Sequence, residues 1–284
     1  MQGTPDWLKD RIRAYYQETT EKSYLANWSK EALALHYGLA DETTQTLAEA
    51  QTNNNRYIAD ALPVREGMRV LDAGCGVGGT SIWMAAERGA RMVGITLDPN
   101  QVEMGTRVAR ERGLGDRVEL LAMDFLATSF AEGSFDAAFN LESVCHCVDV
   151  RAYARHLLSI LKDGAPYGCM DLFVGQGRDE LVKETMDGWS MPNWQTARAV
   201  ADALTEAGFV QVTAVDLTAQ VKRSAEQVMA IAKNRLMLMK LDAAVGHAES
   251  AVFEGHVRAA IACSQGLLDG GVTYGFVAGL RPPR

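Results

Sequence analysis

The stretch Val70–Gly79 reads VLDAGCGVGG and joins an apolar run that begins at Met68 to a helix-like run from Thr80 to Arg88. Glycine at every second position is typical of a turn whose backbone takes positive φ or approaches a ligand without a Cβ in between. A strand, such a turn and the start of a helix together predict a nucleotide-binding corner of an open α/β sheet.

The spacing of this corner, D-x-G-x-G-x-G from Asp72 to Gly78, distinguishes between kinds of nucleotide. It lacks the lysine of a triphosphate-binding loop, and it matches the dinucleotide fingerprint G-x-G-x-x-G poorly. An acid directly before the glycines suits an amine-bearing ligand better than a pyrophosphate. The alternative is that the glycines only allow tight packing of the strand against the helix.

The corner resembles motif I of the class I S-adenosylmethionine-dependent methyltransferases. The resemblance implies that S-adenosyl-L-methionine is the cofactor and that Asp72 lies near its amino group. It also implies that Gly74 and Gly76 let the main chain approach the methionyl end. Alternatively, Asp72 caps a helix or stabilises a turn.

Composition narrows the class of protein. The chain has 284 residues, 48% of them apolar, and a net charge of -8, which argues against a nucleic-acid partner. It has no run of 18 apolar residues, so we expect no membrane insertion. The first residues lack the apolar core of a signal peptide, and five cysteines form no C-x-x-C pair. We therefore expect an acidic cytoplasmic protein.

Strand-like and helix-like runs alternate after residue 63, which predicts a parallel, doubly wound sheet. With the resemblance, we predict an α/β, Rossmann-like sheet of seven strands, six parallel and the last antiparallel, with helical N-terminal and inserted cap elements. Residues 6–61 are helix-like and broken around Ser29 and Gly38. We predict strands near 68–72, 91–96, 117–122, 135–140, 166–173, 209–216 and 272–280, and helices near 79–88, 99–112, 151–161, 194–207, 222–243 and 248–268.

Four segments follow from this pattern. They are an N-terminal helical cap (1–62), an S-adenosylmethionine-binding Rossmann-like core (63–217), an inserted helical cap (218–270) and the final antiparallel strand (271–284). The inserted helices are rich in Met and Leu. These side chains could pack in the core, at the interface of a homo-oligomer or against an apolar ligand.

The second predicted strand ends in Thr96 where many Rossmann-type enzymes carry a ribose-binding acid. The segment resembles the G-[LIV]-T-L-S-x-x-Q variant of cyclopropane fatty acid synthases and terpenoid C-methyltransferases. That resemblance implies that Thr96 and Gln101 contact the ribose. Asp98, directly before Pro99, is better interpreted as a helix N-cap than as a ligand.

The third predicted strand is followed by Asp124 and Phe125. The acid resembles the residue that accepts the exocyclic amine of adenine in these enzymes, and Phe125 would flank the ring. Alternatively, Asp124 only starts a surface turn.

The end of the fourth predicted strand, with Asn140, Glu142 and His146, resembles the L-E-S-x-x-H segment of tocopherol, sterol and sugar-type methyltransferases. We expect Asn140 to contact the cofactor and Glu142 or His146 to act as a base. Alternatively, Glu142 only positions the cofactor or an N-terminal tyrosine, and His146 is a packing residue. Cysteines 145 and 147 flank His146, but neighbouring residues of an extended segment point apart, so we predict no metal site.

The N-terminal segment contains His36-Tyr37-Gly38, which resembles an H-Y-G element that approaches the methyl group in related enzymes. His36 and Tyr37 are therefore candidate catalytic residues. Nearby aromatic residues such as Tyr15 and Trp28 could stabilise a cation through cation–π contact, or could simply pack helices.

These motifs predict a methyltransferase acting on a small-molecule substrate, a largely apolar metabolite of specialised or lipid metabolism. The pattern favours C-methylation of an isoprenoid or aromatic carbon. N- or O-methylation of a small natural product or amine is the alternative. In a different class, the chain would bind S-adenosylmethionine without catalysis.

Overall fold

The computed structural model describes residues 3–24 and 32–283, so Trp28 and the predicted break at Ser29 lie outside the described residues. A mixed sheet forms the centre, with the strand order β3-β2-β1-β4-β5-β7-β6. Its strands are β1 (Arg69–Ala73), β2 (Arg91–Thr96), β3 (Val118–Ala122), β4 (Ala137–Leu141), β5 (Pro166–Val174), β6 (Val210–Asp216) and β7 (Val272–Leu280).

The last strand, β7, runs antiparallel to both of its neighbours, β5 and β6. The other strands run parallel to one another, as the pairs of β1 with β2 and of β1 with β4 illustrate. The predicted Rossmann-like sheet, with six parallel strands and a last antiparallel one, is therefore confirmed.

Helices cover both faces of this sheet. In the part of the chain that the structure describes they are α1 (Asp6–Tyr24), α2 (Leu47–Ala61), α3 (Gly79–Arg88), α4 (Pro99–Glu111), α5 (Val150–Ile160), α6 (Asp179–Gly188), α7 (Ala197–Ala207), α8 (Thr218–Ala244) and α9 (Ala251–Asp269). Short 3-10 turns span Phe125–Ala127 and Val144–His146. None of the described helices is both long and apolar enough to cross a membrane.

Two expectations about helices were wrong. The helix predicted near 194–207 starts later, because the Thr196 side chain caps α7 by accepting a hydrogen bond from the backbone N–H of Ala199. The helix-like stretch before residue 61 is also not helical over 32–46. Thr46 and Glu49 form a capping box that starts α2, and Asp41 accepts hydrogen bonds from the residues after it.

The core lies in two layers because alternate residues of a strand point to opposite faces. Val70 of β1 packs in the layer beneath α2, α3, α8 and α9, whereas Leu71 packs in the layer with α5 and α7. The interval between β6 and β7 contains α8 and α9, and α9 also contacts α1 and α6. These helices bring distant parts of the chain to the carboxyl edge of the sheet.

Candidate active site

A cavity, which we call the main cavity, lies at the carboxyl ends of β1, β2 and β4. Strand β1 lies between β2 and β4, so the order in which the chain adds strands reverses at this point of the sheet. Open α/β sheets bind ligands at such a switch point. The predicted site residues that line it are Asp72, Gly74, Gly76, Thr96, Gln101, Phe125, Glu142, His146 and His36.

Asp72 lies at the base of the main cavity and is 2% exposed. Its carboxylate accepts a hydrogen bond of 2.7 Å from the Ser81 hydroxyl. Burial raises the pKa of Asp72 to about 7, against the smaller opposing effect of Ser81. Gly74 follows at a φ of +89°, and a Cβ there would lie 2.4 Å from Cβ of Ser143, so this turn requires glycine.

Thr96 and Gln101 form a polar pair in the wall of the main cavity. The Thr96 hydroxyl donates to Oε1 of Gln101 at 2.6 Å, and Nε2 of Gln101 donates to Oγ1 of Thr20 at 3.0 Å. The pair thereby links β2 and α4 to α1. Asp98 caps α4 by accepting a hydrogen bond of 3.0 Å from the N–H of Asn100, as expected.

Asp124 does not line the main cavity, although Phe125 does. Its carboxylate accepts hydrogen bonds from the backbone N–H of Thr4 at 2.8 Å and from the Thr4 hydroxyl at 3.1 Å. It also accepts from the N–H of Leu126 and so starts the 3-10 turn, which is the alternative interpretation given above. Contact of Asp124 with adenine stays a prediction.

Asn140, expected to touch the cofactor, lies outside the main cavity. Alternation along β4 turns it towards α5, where its carbonyl oxygen accepts from the hydroxyls of Tyr153 and Tyr167. Its amide donates to the carbonyl of Ala73 at 2.7 Å and to Oγ of Ser143 at 2.8 Å. Asn140 therefore supports the glycine turn from behind.

Glu142 lines the main cavity directly after β4, with a φ of +47° that is rare for residues other than glycine. Its Oε1 accepts a hydrogen bond of 2.8 Å from the backbone N–H of Tyr37, and the Tyr274 hydroxyl also bonds to it. Burial, and secondly the nearby Asp171 carboxylate, raise the pKa of Glu142 well above its usual range. Asp171 also accepts from the N–H of Ser143, which holds the next turn in place.

The two candidate histidines are buried and uncharged. Nε2 of His146 lies 2.9 Å from the Tyr16 hydroxyl, and burial lowers the pKa of His146 to about 4. Burial also lowers the pKa of His36 to about 4, and its Nε2 has no hydrogen-bond partner within the described ranges.

Tyr37 was expected to approach the methyl group, but its ring is fully buried and does not line the main cavity. Its hydroxyl lies 2.9 Å from Oγ of Ser264 in α9. The backbone of Tyr37 reaches the site: its N–H donates to Glu142, and its carbonyl oxygen lies 2.7 Å from Nδ1 of His36. Of the H-Y-G element, His36 is therefore the residue whose side chain is available to a ligand.

A second cavity, which we call the side cavity, adjoins the main one. Both cavities share Tyr16, Leu35, Glu142 and His146. The side cavity adds Tyr15, Cys145, Leu172, Trp189 and His256. Among the residues described as lining these two cavities, there is no lysine or arginine.

Sequence reasoning missed several of these residues. Asp171 is an acid inside the apolar strand β5, and that anomaly is a usable signal because a buried carboxylate needs partners. His256 gave no such signal. Over 3–24 and 32–283, the structure brings no three His, Cys, Asp or Glu side chains together in a group able to hold a metal ion.

The sheet order, the glycine turn and the cavity at the switch point define a class I, Rossmann-like methyltransferase fold. Residues 16–177 match the family described as mycolic acid cyclopropane synthetase, and the chain belongs to this family.

Individual relatives fit this membership. Sterol 24-C-methyltransferase of Yarrowia lipolytica is 30% identical over 172 residues, which cover 58% of this chain and 45% of the relative. Methyltransferase GfsG of Streptomyces halstedii is 29% identical over 185 residues, covering 64% and 66%. The chain thus spans less than half the length of the sterol methyltransferase.

Solved structures with the same fold carry different reactions. A geranyl diphosphate methyltransferase in complex with GPP and sinefungin has a TM-score of 0.79 at 24% identity, covering 96% of this chain and 99% of that one. The [4+2]-cyclase SpnF has a TM-score of 0.80 at 20% identity, covering 97% of each chain. The fold alone therefore does not decide the reaction, which has to be argued from the site.

Proposed function

We propose that this chain transfers a methyl group from S-adenosyl-L-methionine to a small, largely apolar acceptor, with an isoprenoid-like or aromatic carbon as the favoured target. The observation that carries the proposal is the position of Glu142, which lines both the main and the side cavity. The family, and relatives that methylate sterol carbon by name, support it.

The residues of the main cavity fit S-adenosylmethionine. Asp72 is a carboxylate for the ammonium group, and the turn at Gly74 leaves no Cβ in the way of the methionyl end. The Thr96–Gln101 pair offers a hydroxyl and an amide to the ribose. Nε2 of His36, without a partner among the described residues, is a further polar group for the ligand.

When bound, the cofactor supplies an electrophilic methyl group on a sulfonium, and transfer requires in-line alignment of the acceptor. Tyr16 and Leu35, shared by both cavities, would hold the acceptor at their junction. Methylation of an electron-rich double bond leaves a cation on the acceptor. The aromatic rings of Tyr16 and Trp189 can stabilise that cation, and the Glu142 carboxylate can remove its proton.

Methylation of an O–H or N–H group is a second candidate. It is favoured by His146, an uncharged imidazole that lines both cavities and could accept the proton of such an acceptor. Its lowered pKa makes it a weak base, so we rank this candidate second.

The proposal also covers the cellular compartment, the partners and the segments of the enzyme. Five free cysteines support a reducing cytoplasm, and the net charge of -8 supports the expectation of no nucleic-acid partner. Exposed apolar side chains of α8, among them Met237 and Leu241, support a homo-oligomer. We also propose that the chain is divided into the four predicted segments 1–62, 63–217, 218–270 and 271–284.

Isothermal titration calorimetry with S-adenosylmethionine and S-adenosylhomocysteine tests cofactor binding, and absence of both signals would refute the proposal. Transfer of radiolabelled methyl to a panel of prenyl, aromatic, hydroxyl and amine acceptors then tests the reaction. Label on carbon supports the first candidate, and label confined to oxygen or nitrogen supports the second. Tight cofactor binding without transfer to any acceptor would favour a non-catalytic binding protein.

A further inference from the structure

A third cavity, which we call the rear cavity, lies between α8 and α9. Its wall is apolar on both helices and is formed by Val228, Ile231 and Ala232 of α8 and by Phe253, Val257 and Ala260 of α9. The motifs discussed above assign this space no role. Arg235 and His256 complete the wall. Because apolar side chains form most of its lining, the cavity suits an apolar ligand.

His256 belongs to the walls of both the rear and the side cavity. Its ring is 4% exposed, and Nδ1 lies 2.6 Å from the Tyr15 hydroxyl of α1. The ring also lies parallel to Phe253, at an angle of 12° and a centroid distance of 6.0 Å. The Tyr15–His256 pair therefore stands between the two cavities.

The side chains between the main cavity and the rear cavity provide few positive charges that could bind an anion. Burial lowers the pKa of both His146 and His256 to about 4, so both are neutral at pH 7. Arg235 reaches the rear cavity, where one Nη of its guanidinium pairs with Glu249 at 2.7 Å, while its buried Nε has no hydrogen-bond partner among the described residues. Glu249 also pairs with Lys22.

We propose that the rear cavity is the tail-binding part of the acceptor site, that the Tyr15–His256 pair is its gate, and that the acceptor is an uncharged, elongated molecule with a hydrocarbon tail. The reacting carbon lies in the side cavity against Glu142, and the tail passes His256 into the space between α8 and α9. This assignment rests on the proposed function, because it takes the side cavity as the place of the reacting carbon.

Binding of prenyl alcohols in the presence of S-adenosylhomocysteine tests the cavity without catalysis. Calorimetry should give farnesol, which is five carbons longer than geraniol, at least a tenfold higher affinity, because each buried methylene contributes roughly fourfold. Ala232→Leu and Ala260→Leu fill the rear cavity from opposite helices, so each should remove this gain and leave geraniol unchanged. Val252→Leu, at an exposed position of α9, is the matched control and should keep the gain.

Val257→Ala changes the cavity in the opposite direction and should extend the preference to geranylgeraniol. If thermal unfolding shows that Ala232→Leu and Ala260→Leu do not fold, Val257→Ala tests the rear cavity in their place. The same dependence on tail length in wild type, Ala260→Leu and Val257→Ala would overturn the assignment. Tighter binding of farnesyl diphosphate than of farnesol would overturn the uncharged class of acceptor.

The results that would refute the proposed function differ from those that would refute the rear-cavity assignment. Farnesol binding that depends on the rear cavity, without transfer of labelled methyl to any acceptor, would support the cavity assignment and refute methyl transfer. Methyl transfer that is insensitive to all three cavity variants, for short and long acceptors alike, would leave the proposed function intact and overturn the rear cavity.

Discussion

The affinity for S-adenosylmethionine should rise with pH because of Asp72. The carboxyl group is buried, with a hydrogen bond from Ser81, and its pKa is raised to about 7. The ammonium group of the ligand needs the ionised form, so at low pH binding must first release a proton from Asp72. An α-amino group stays protonated up to about pH 7.7, so both partners are charged only near neutral pH.

The size of this effect follows from the ionised fraction of Asp72. With a pKa of about 7, the carboxyl group is about 3% ionised at pH 5.5 and about 75% ionised at pH 7.5. The ligand ammonium, with a pKa of about 7.7, is about 60% protonated at pH 7.5. If both groups are charged in the complex, the dissociation constant should therefore fall about 15-fold between these pH values, or about 1.6 kcal/mol.

Calorimetry at pH 5.5, 6.5 and 7.5 measures this dependence. Asp72→Asn should bind more weakly at pH 7.5 and should lose the slope. Asp60→Asn, a change at an exposed carboxylate, should keep the wild-type slope. Removing the hydroxyl in Ser81→Ala should move the midpoint to higher pH, because that hydrogen bond favours the ionised form. An equal slope in wild type and Asp72→Asn would refute the reasoning.

The same group has the opposite effect on the stability of the ligand-free protein. A native pKa of about 7, raised from 3.8, means that the folded state holds the proton more tightly than the unfolded chain. The contribution to stability is therefore complete below pH 3.8 and is lost as the pH rises through about 7, by roughly 4 kcal/mol in total. Urea unfolding should show Asp72→Asn gaining stability over wild type from pH 5 to pH 8, and a constant difference would contradict the burial argument.

Three other predictions concern the site and its supports. Glu142→Gln should lower kcat about 10²- to 10⁴-fold while cofactor affinity stays within about threefold; an unchanged kcat in the labelled-methyl assay would remove Glu142 from proton transfer. Gly105→Ala puts a Cβ 2.4 Å from a backbone oxygen of the glycine turn and should cost about 2 kcal/mol in urea unfolding, whereas Gly255→Ala has 3.7 Å of room and should be neutral or stabilising. Asp124→Ala should weaken S-adenosylhomocysteine binding about tenfold if the carboxylate also meets adenine, while Thr4→Ala should not; equal losses would limit Asp124 to anchoring the N-terminal segment.

The sheet was predictable because its strands are short apolar runs separated by turn signals, and the observed bounds differ from the predicted ones by only a few residues. The glycine turn was predictable for a local reason as well, since positive φ at Gly74 and Gly76 restricts the residue type. Helix α6 escaped prediction because it buries little, with Thr185 as its buried residue. A helix that contributes so little to the core leaves a weak apolar pattern in the sequence.

The side-chain partners in the site could not be predicted in the same way. Tyr15 and His256 meet across 241 positions of the chain, and the N–H of Tyr37 meets Glu142 across 105. Neither contact has a signature in the local sequence, because the first depends on how α1 packs against α9 and the second on how the segment before α2 lies over the end of β4. The type of residue at a strand end was therefore predictable from the sequence, whereas its partner was not: Asn140 bonds to the carbonyl of Ala73, and its contact with the cofactor stays a prediction.

The reaction must be decided by the walls of the cavities, since a methyltransferase and a [4+2]-cyclase share this frame at similar TM-scores. The main cavity is built on the ends of parallel strands, and its carboxylates at Asp72 and Glu142 are held by the Ser81 hydroxyl and by the backbone N–H of Tyr37. The rear cavity depends instead on α8 and α9, and the side cavity combines α1 and α9 with residues at the ends of β4 and β5. Substitutions in these helices can change the acceptor without disturbing Asp72 or the glycine turn. Selectivity for the acceptor should therefore respond to cavity-filling changes in α8 and α9 at constant cofactor affinity.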